Sequence, residues 1–410
     1  MSSVPPKPSQ PPQQPPDSPP PGRPGIPRSP AVWLSGSALL VALIALAVAI
    51  AGSGDGSGAV KPGATNAGPK ETWSVRPGIV PSDPGEPDPV VSDDPAASTG
   101  AGTGGSVPPA PSENVDCPTA SVTVSDARAL KEALAGAAPG DSIRLSDGVY
   151  EGRFVATAAG TAEKPVFLCG GAGAVIDGGG IKGGYALHLN GAAHWRLIGF
   201  TVTNGQKGVM ADKVQGTVIQ GLTVERIGDE AIHLRNFSSG NVIRENTIRA
   251  TGLRKPKFGE GVYIGTAKSN WCTVSDCKPD NSNDNDIIDN DITGTTAEAV
   301  DIKEGTTGGK IVGNSFDGAK LSGSHNDSWV DIKGNGWLIQ GNTGRNSRED
   351  GFQTHEIVKG WGTGNTFKGN TAIVDGPGWG FRLTSDGNKV TCDNKVTDAA
   401  KGLANVDCGS

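Results

Sequence analysis

The sequence predicts an all-β fold, a right-handed parallel β-helix with an N-terminal capping helix, over residues 115–410. Three observations support it: a repeat of roughly 22 residues or more, a short alternating segment in each repeat, and an asparagine at one corner of many repeats. Units that stack in this way bury their apolar sides only against their neighbours, so the chain is expected to form a solenoid.

The alternating segments are five residues long and mostly aliphatic at their second and fourth positions, which should point inward. They read "ALHLN" at 186, "GVMAD" at 208, "AIHLR" at 231, "GVYIG" at 261, "AVDIK" at 299, "WVDIK" at 329, "FQTHE" at 352 and "GFRLT" at 380. The segment "FQTHE" fits the pattern poorly. The first, third and fifth residues of each segment are expected to face outward.

Asparagines recur after the second apolar segment of many repeats, at Asn246, Asn290, Asn314, Asn342, Asn370 and Asn394. Asparagine tolerates the left-handed backbone of a tight corner, and stacked amides can hydrogen bond from coil to coil. At the N-terminal end, "SDARALKEALAG" predicts an amphipathic helix capped by Ser125, followed by a turn at Pro139–Gly140 and a strand. Such a helix would cover the open end of the coils.

The first 114 residues are read as three segments outside the folded domain. Residues 1–30 are proline-rich and predicted to be disordered, residues 31–52 are uncharged and apolar over the length of a transmembrane helix, and residues 53–114 form a Gly, Pro and acidic linker. Lys7, Arg23 and Arg28 precede the apolar run, which predicts a single-pass signal-anchor in the cell membrane with a cytoplasmic N-terminus and an extracellular β-helix. A cleaved signal peptide is the alternative.

All six cysteines follow residue 114, which favours disulfides in an oxidising compartment. Proximity favours Cys272 with Cys277 and Cys392 with Cys408. The first of these pairs would pin the long insertion at 267–286 beside the strands around residue 300. The net charge of −7 argues against a nucleic-acid partner, and we expect a monomer.

Two Asp-x-Lys copies, Asp301 with Lys303 and Asp331 with Lys333, should stack at about 4.8 Å spacing if the coils stay in register. Acidic residues precede three of the strands: Glu230, Glu260 and Glu298. Stacked glutamates repel one another unless a cation lies between them. A hard cation such as Ca²⁺ would therefore be expected on Glu260, Glu298 and Asp301; a solvated ionic ladder is the alternative.

Residues 120–407 resemble the pectate-lyase-like superfamily of right-handed β-helix proteins. The stretch "EAVDIKEGTTGGKIVGNSF" is similar to the active-site coil of the alginate lyase and chondroitinase B family. The resemblance implies that Glu298 is a calcium ligand and Lys303 the catalytic base. The sequence departs from the family in having Lys333 where the family has an arginine, and Thr296 where it has a further acidic ligand.

This arrangement predicts a lyase that cleaves an acidic, uronic-acid-containing polysaccharide by β-elimination. Lys303, with a pKa lowered by adjacent cations, would take the proton, Lys333 or calcium would neutralise the substrate carboxylate, and Tyr263 would protonate the leaving oxygen. The expected substrate-binding residues are Arg235, His233, Asp331, His355, Glu356 and Arg382. A β-helix glycoside hydrolase and a non-catalytic glycan-binding or structural surface protein are the alternatives.

Overall fold

The computed structural model describes residues 113–323 and 325–409, which form a right-handed parallel β-helix of about 10 turns. Each turn contributes strands to three sheets, and all the strand pairs are parallel. Sheets 1, 2 and 3 are named here in the order in which the chain first enters them.

Sheet 1 contains Val122–Val124, Ser142–Leu145, Val166–Cys169, Trp195–Ile198, Val218–Gln220, Val242–Arg244, Asp286–Ile288, Lys310–Val312, Leu338–Gln340, Thr366–Lys368 and Lys389–Val390. Sheet 2 contains Gly148–Glu151, Ala174–Asp177, Thr201–Thr203, Thr223–Glu225, Thr247–Arg249, Asp291–Thr293, Ser315–Asp317, Thr343–Arg345, Thr371–Gly376 and Lys395–Ala399. Sheet 3 contains Phe154–Ala156, Tyr185–Asn190, Lys207–Asp212, Ile232–Arg235, Val262–Ile264, Val300–Ile302, Val330–Ile332, Phe352–Thr354, Trp379–Leu383 and Gly402–Ala404. The helices are Ala127–Ala135 and Trp271–Val274, with 3-10 turns at Pro256–Phe258 and Lys268–Asn270.

The eight predicted segments are confirmed as sheet 3, and their inward residues form the core of the solenoid. Val262, Ile264, Val300 and Ile302 are fully buried, as the alternation requires. Sheet 3 also has a strand at each end, Phe154–Ala156 and Gly402–Ala404, that the pattern did not predict.

The register of the seventh predicted segment was wrong by one residue. Gln353, not Thr354, lies opposite Asp331, so His355 rather than Glu356 continues the column of Lys303 and Lys333. Thr354 instead faces inward and is fully buried. Its hydroxyl lies 3.1 Å from Ser385 Oγ, a polar contact that makes an inward threonine tolerable.

The asparagine corner between sheets 1 and 2 is confirmed as a continuous ladder. Each side-chain amide donates to the oxygen of the next, from Asn246 through Asn290, Asn314, Asn342 and Asn370 to Asn394, at 2.9 Å per step. Because the amides are buried, each missing rung would leave unsatisfied polar groups inside the solenoid.

The capping helix Ala127–Ala135 is present, and Leu130 and Leu134 bury its apolar side against the first coils. Its N-cap is Asp126 rather than the predicted Ser125, because the Asp126 carboxylate accepts a hydrogen bond from the Ala129 backbone N–H at 2.8 Å.

Both predicted disulfides, Cys272–Cys277 and Cys392–Cys408, are present, and Cys117 bonds Cys169. The predicted disordered segment, transmembrane helix and nearly all of the linker lie outside the described residues. Within residues 113–323 and 325–409, no helix is long and apolar enough to cross a bilayer.

Candidate active site

The outward face of sheet 3 brings together most of the residues that the sequence singled out. The backbone register pairs His233 with Tyr263, Tyr263 with Asp301, and Asp301 with Asp331. Lys303 and Lys333 follow the same two strands, as the stacking of the Asp-x-Lys copies predicted.

Asp301 is the centre of an ionic cluster on this face. Its Oδ2 lies 2.5 Å from Lys303 Nζ and its Oδ1 lies 2.8 Å from Lys333 Nζ. Lys333 Nζ also lies 2.6 Å from Asp331 Oδ2, and Asp331 Oδ1 lies 2.8 Å from His355 Nδ1. The two aspartates and two lysines therefore alternate in charge, and His355 extends the series by one coil.

The carboxylates hold both lysines in the protonated state. Burial would lower the pKa of Lys303, but the charges of Asp301, Glu304 and Glu260 outweigh it and raise the pKa above its ordinary value. Lys333 behaves in the same way between Asp301 and Asp331. The expectation that neighbouring cations lower the pKa of Lys303 was wrong, because its direct hydrogen bond is to a carboxylate.

Tyr263 lies beside Lys303, whose Nζ is 4.8 Å from the centre of the phenol ring. The imidazole of His233 packs edge-on against Tyr263, with ring centroids 4.3 Å apart. Burial and the carboxylates of Asp301, Glu260 and Glu230 raise the pKa of Tyr263 well above its ordinary value. The phenol is therefore firmly protonated and can act as a proton donor.

Glu260, Glu298 and Asp301 form a compact group of buried carboxyls that offer one oxygen each within 4.8 Å of one another. Burial and the charges of Glu230, Asp301 and Glu298 raise the pKa of Glu260 well above normal. Burial and the Asp301 charge raise the pKa of Glu298 to about 8. Glu260 Oε2 has no hydrogen-bond partner among the described residues, so this oxygen is placed to bind a cation.

Loops form two walls on either side of this face. On one side, the disulfide-pinned insertion at 267–286 is confirmed as a loop tied to the site, since Glu304 Oε1 accepts from the Lys268 backbone N–H at 2.7 Å. On the other side, the Thr296 hydroxyl donates to the Pro256 carbonyl at 2.8 Å and Asn326 Nδ2 donates to the same oxygen at 3.3 Å. Thr296 thus braces a loop at the position where the resembling family has an acidic ligand.

The structure separates the expected substrate-binding residues into three groups. His355 and Arg382 have side chains that are 30% and 35% exposed, so both can contact a ligand, and Arg382 Nη1 also reaches Asp350 Oδ2 at 3.4 Å. Glu356 is exposed, but it caps its own turn by accepting from Gly360 N–H at 2.8 Å, away from the predicted column.

His233 and Arg235 are buried, and Asp331 is held between Lys333 and His355. Nε2 of His233 hydrogen bonds the Gly265 carbonyl at 3.0 Å, so a direct contact between His233 and a polymer is contradicted by its burial. Its ring instead supports Tyr263.

Arg235 belongs to a neighbouring network that the sequence did not single out. Asp212 lies 2.8 Å from both Arg235 Nε and His188 Nε2, and Arg235 Nη2 reaches the Tyr185 hydroxyl at 3.2 Å. Burial opposes ionisation of Asp212, but Arg235 and His188 outweigh it and hold the pKa well below normal. The sequence pattern could have revealed this network, because His188 and Asp212 occupy the same outward columns of sheet 3 as Asp301 and Lys303, respectively.

Comparisons with known proteins agree with this fold. A family model described as a right-handed β-helix region matches residues 166–287. No curated protein sequence matches the chain. Among solved structures, the mannuronic-acid-specific family 6 lyase from human gut microbiota is 14% identical, with 67% of this chain and 82% of that chain covered and a TM-score of 0.39. Pectate lyase Pel9A is 13% identical, with 68% and 75% covered and a TM-score of 0.44.

A much stronger match is the alginate lyase from Paenibacillus sp. str. FPU-7. It is 34% identical with a TM-score of 0.66, and the match covers 71% of this chain and 100% of that chain. An identity of this size over the whole of the other chain indicates common ancestry as well as a common fold. The chain therefore belongs to the family of right-handed β-helix proteins that includes this alginate lyase.

Proposed function

We propose that the protein is a polysaccharide lyase that cleaves a uronic-acid-containing polymer by β-elimination. The observation that carries the proposal is the 34% identity over the whole chain of an alginate lyase, since alginate is a polymer of uronic acids. The cluster of Lys303, Lys333 and Tyr263 on the outward face of sheet 3 supplies groups suited to that reaction.

In the proposed reaction Lys303 is the base. Its Nζ takes the proton from the sugar carbon next to the carboxylate, and the electron pair of that C–H bond forms the new carbon–carbon double bond as the glycosidic C–O bond on the next carbon breaks. Lys303 must be neutral to do this. Since Asp301 raises its pKa, the rate should rise with pH on the alkaline side.

Lys333 supplies fixed positive charge for the substrate carboxylate. Negative charge spreads onto that carboxylate as the proton leaves, and an ammonium group held in place by Asp301 and Asp331 needs little reorganisation to stabilise it. His355 adds to this charge, because Asp331 raises its pKa against the opposing effect of burial.

Tyr263 is the proposed acid. The breaking C–O bond leaves an oxygen that needs a proton, and the partly exposed phenol beside Lys303 keeps its own proton over a wide pH range. A proton then passes from the newly protonated Lys303 to the tyrosinate, so that both groups return to their starting states.

We also propose a calcium ion on Glu260, Glu298 and Asp301. Three buried carboxyls with an unpartnered oxygen on Glu260 fit the oxygen ligands that a hard cation prefers. Bound there, calcium would add positive charge beside the substrate carboxylate and compete with Lys303 for Asp301.

The test is to mix the purified full-length protein with a panel of polymers: polymannuronate, polyguluronate, polygalacturonate and a neutral glucan. We expect an increase in the ultraviolet absorbance of unsaturated uronides on at least one acidic polymer and none on the glucan. Lys303→Ala should abolish it, whereas Lys395→Ala, an exposed lysine on sheet 2, should not. New reducing ends without unsaturated product would indicate a hydrolase, and binding without any product would indicate a glycan-binding protein; either result overturns the lyase proposal.

We further propose that residues 31–52 anchor the protein in the cell membrane with the β-helix outside, on the evidence of their apolar composition and the basic residues before them. Recovery of the full-length protein in the soluble fraction, equal to that of a chain lacking residues 31–52, would contradict the anchor.

A further inference from the structure

The loop at 251–259 is basic in a protein that is acidic overall. It contains Arg254, Lys255 and Lys257 and no acidic residue, while the whole chain carries a net charge of −7. Lys257 is exposed, and the ammonium groups of Lys257 and Lys255 lie 4.7 and 5.8 Å from the centre of the Phe258 ring. The loop therefore presents positive charge next to an aromatic surface.

The base of this loop is closed. The Thr251 hydroxyl donates to the Gly259 carbonyl at 2.5 Å. A Cβ added at Gly259 would lie 2.7 Å from Gly252 Cα, so the two chain segments at the base of the loop are as close as glycine allows. The chain leaves and re-enters the solenoid at nearly the same point, and only the loop projects.

The projecting part is anchored along the solenoid axis in both directions. Toward the N-terminal coils, the Arg254 guanidinium bonds the buried carboxylate of Asp229 and its backbone N–H donates to the Gly228 carbonyl at 2.7 Å. Toward the C-terminal coils, the Pro256 carbonyl accepts from Thr296 and Asn326. The loop thus spans several coils of about 4.8 Å each and holds its lysines in a fixed place.

The loop ends at the candidate active site. Gly259 is followed directly by Glu260, and Asp229 by Glu230, so the loop runs along the edge of sheet 3 beside the acidic column. If a polymer lies along this face over Lys303 and Lys333, sugars outside the reacting position would meet the lysines of the loop.

We propose that the 251–259 loop is a second binding surface for the acidic polymer, in which Lys255 and Lys257 bind carboxylates of sugars outside the reacting position and Phe258 packs against a sugar ring. It rests on the proposed function only for the identity of the ligand as a uronic-acid polymer. Ordered charges bind a polyanion better than mobile ones because less side-chain and loop entropy is lost on binding. Arg254 fixes the loop through Asp229 and is not itself a ligand in this scheme.

The test compares two double variants with the same change of charge. Lys255→Gln/Lys257→Gln removes the two lysines of the loop, one partly buried and one exposed, and Lys395→Gln/Lys401→Gln removes two exposed lysines near the C-terminal end of the chain. Both are made in the full-length protein carrying Lys303→Ala, so that binding is measured without turnover. The ligand is long polymannuronate, and Kd is measured by calorimetry at low and high ionic strength.

We expect the loop variant to raise Kd roughly five- to tenfold at low salt and to weaken the salt dependence, while the distant variant changes Kd less than about twofold. In the background with Lys303 intact, the loop variant should raise KM on the polymer more than it raises KM on a trisaccharide. Equal affinities of the two double variants would overturn the proposal.

The outcome does not depend on whether the protein is a lyase. If no unsaturated product forms on any polymer but the loop variant still loses affinity, the binding surface stands and the lyase proposal falls. If unsaturated product forms but the loop variant binds the polymer as tightly as its parent protein, the lyase proposal stands and the binding surface falls.

Discussion

The two copies of Val-Asp-Ile-Lys, at 300–303 and 330–333, have the same sequence and different surroundings. Asp301 bonds both lysines, whereas Asp331 bonds Lys333 and His355. Lys303 has a side chain that is 14% exposed and lies over Tyr263, while Lys333 is 8% exposed and lies between the two aspartates. In a solenoid, the coils above and below decide what a repeated motif can do.

In the proposed mechanism, this difference gives the two lysines separate tasks. Lys303 lies between Tyr263 of the preceding coil and Asp301 of its own coil, and in the proposed reaction it exchanges a proton with Tyr263 and with the substrate. Lys333 has two carboxylate partners that fix its position and its charge. Variants of the two lysines and of their neighbours test whether this division is correct.

The largest effect is expected from Lys303→Ala, which should lower kcat by about 10²- to 10⁴-fold, the usual contribution of a general base. Kd for the polymer should change little, since Lys303 is not the main carboxylate ligand. Lys303→Arg provides the matched control: it keeps the charge but cannot give up its proton at accessible pH, so it should be as inactive as the alanine variant. An active arginine variant would show that the charge, and not the base, matters at this position.

Lys333→Ala should lower kcat by about 10²- to 10³-fold and also raise KM, because the lost charge acts on the substrate carboxylate before and during the reaction. Lys333→Arg should recover part of both. If Lys333→Ala left KM unchanged while Lys303→Ala raised it, the tasks of the two lysines would be reversed.

Variants of Glu260 and Asp331 should respond differently to calcium. At a calcium concentration 100 times Kd, the bound ion would stabilise the fold by about 2.7 kcal/mol, so a chelator should lower the Tm of the full-length protein. Glu260→Gln should remove this response and Asp331→Asn should keep it, because only Glu260 belongs to the carboxyl group around Asp301. Equal Tm values with calcium and with chelator would exclude the ion.

The smallest effect concerns the pH dependence of stability at Asp331 and His355. The folded pKa of Asp331 lies below its ordinary 3.8, so its contribution is present above that value and lost as pH falls through the lower, folded pKa. The folded pKa of His355 lies above its ordinary 6.5, so its contribution is present below 6.5 and lost as pH rises through the higher, folded pKa. The pair should stabilise the fold most between these two ordinary values.

Urea unfolding measures this effect. His355→Gln should lower the free energy of unfolding by about 1 kcal/mol near pH 5 and by much less near pH 9. A loss of the same size at both pH values would mean that His355 acts through packing and not through its charge.

The fold was largely predictable because its signals are repeated and local. The inward positions of Val300 and Ile302 recur in each coil, and the asparagine corner marks the same turn each time. The one register error came at Thr354, a polar residue in an inward position whose hydroxyl partner, Ser385, is 31 residues away. Alternation cannot show a partner at that distance.

The ionic cluster of Asp301, Lys303, Asp331, Lys333 and His355 was predictable in its membership and not in its electrostatics. Stacking places Asp301 opposite Asp331, and the two lysines follow two residues later on the same strands, so the members of the cluster follow from the register. The direction of the Lys303 pKa depends on which neighbour its ammonium group bonds, and sequence spacing does not determine that. Burial of His233 likewise depends on the ring of Tyr263 one coil away.

The disulfide between Cys117 and Cys169 has a mechanical consequence. It joins the beginning of the described chain to a strand of sheet 1 inside the solenoid, closing a segment of 52 residues. A pulling force applied to the chain ahead of residue 113 would pass through this bond into the strand Val166–Cys169. The edge strand Val122–Val124 and the capping helix lie within the closed segment and would bear little of the load. A force applied at the N-terminal side of the β-helix would thus reach sheet 1 without peeling the end cap away.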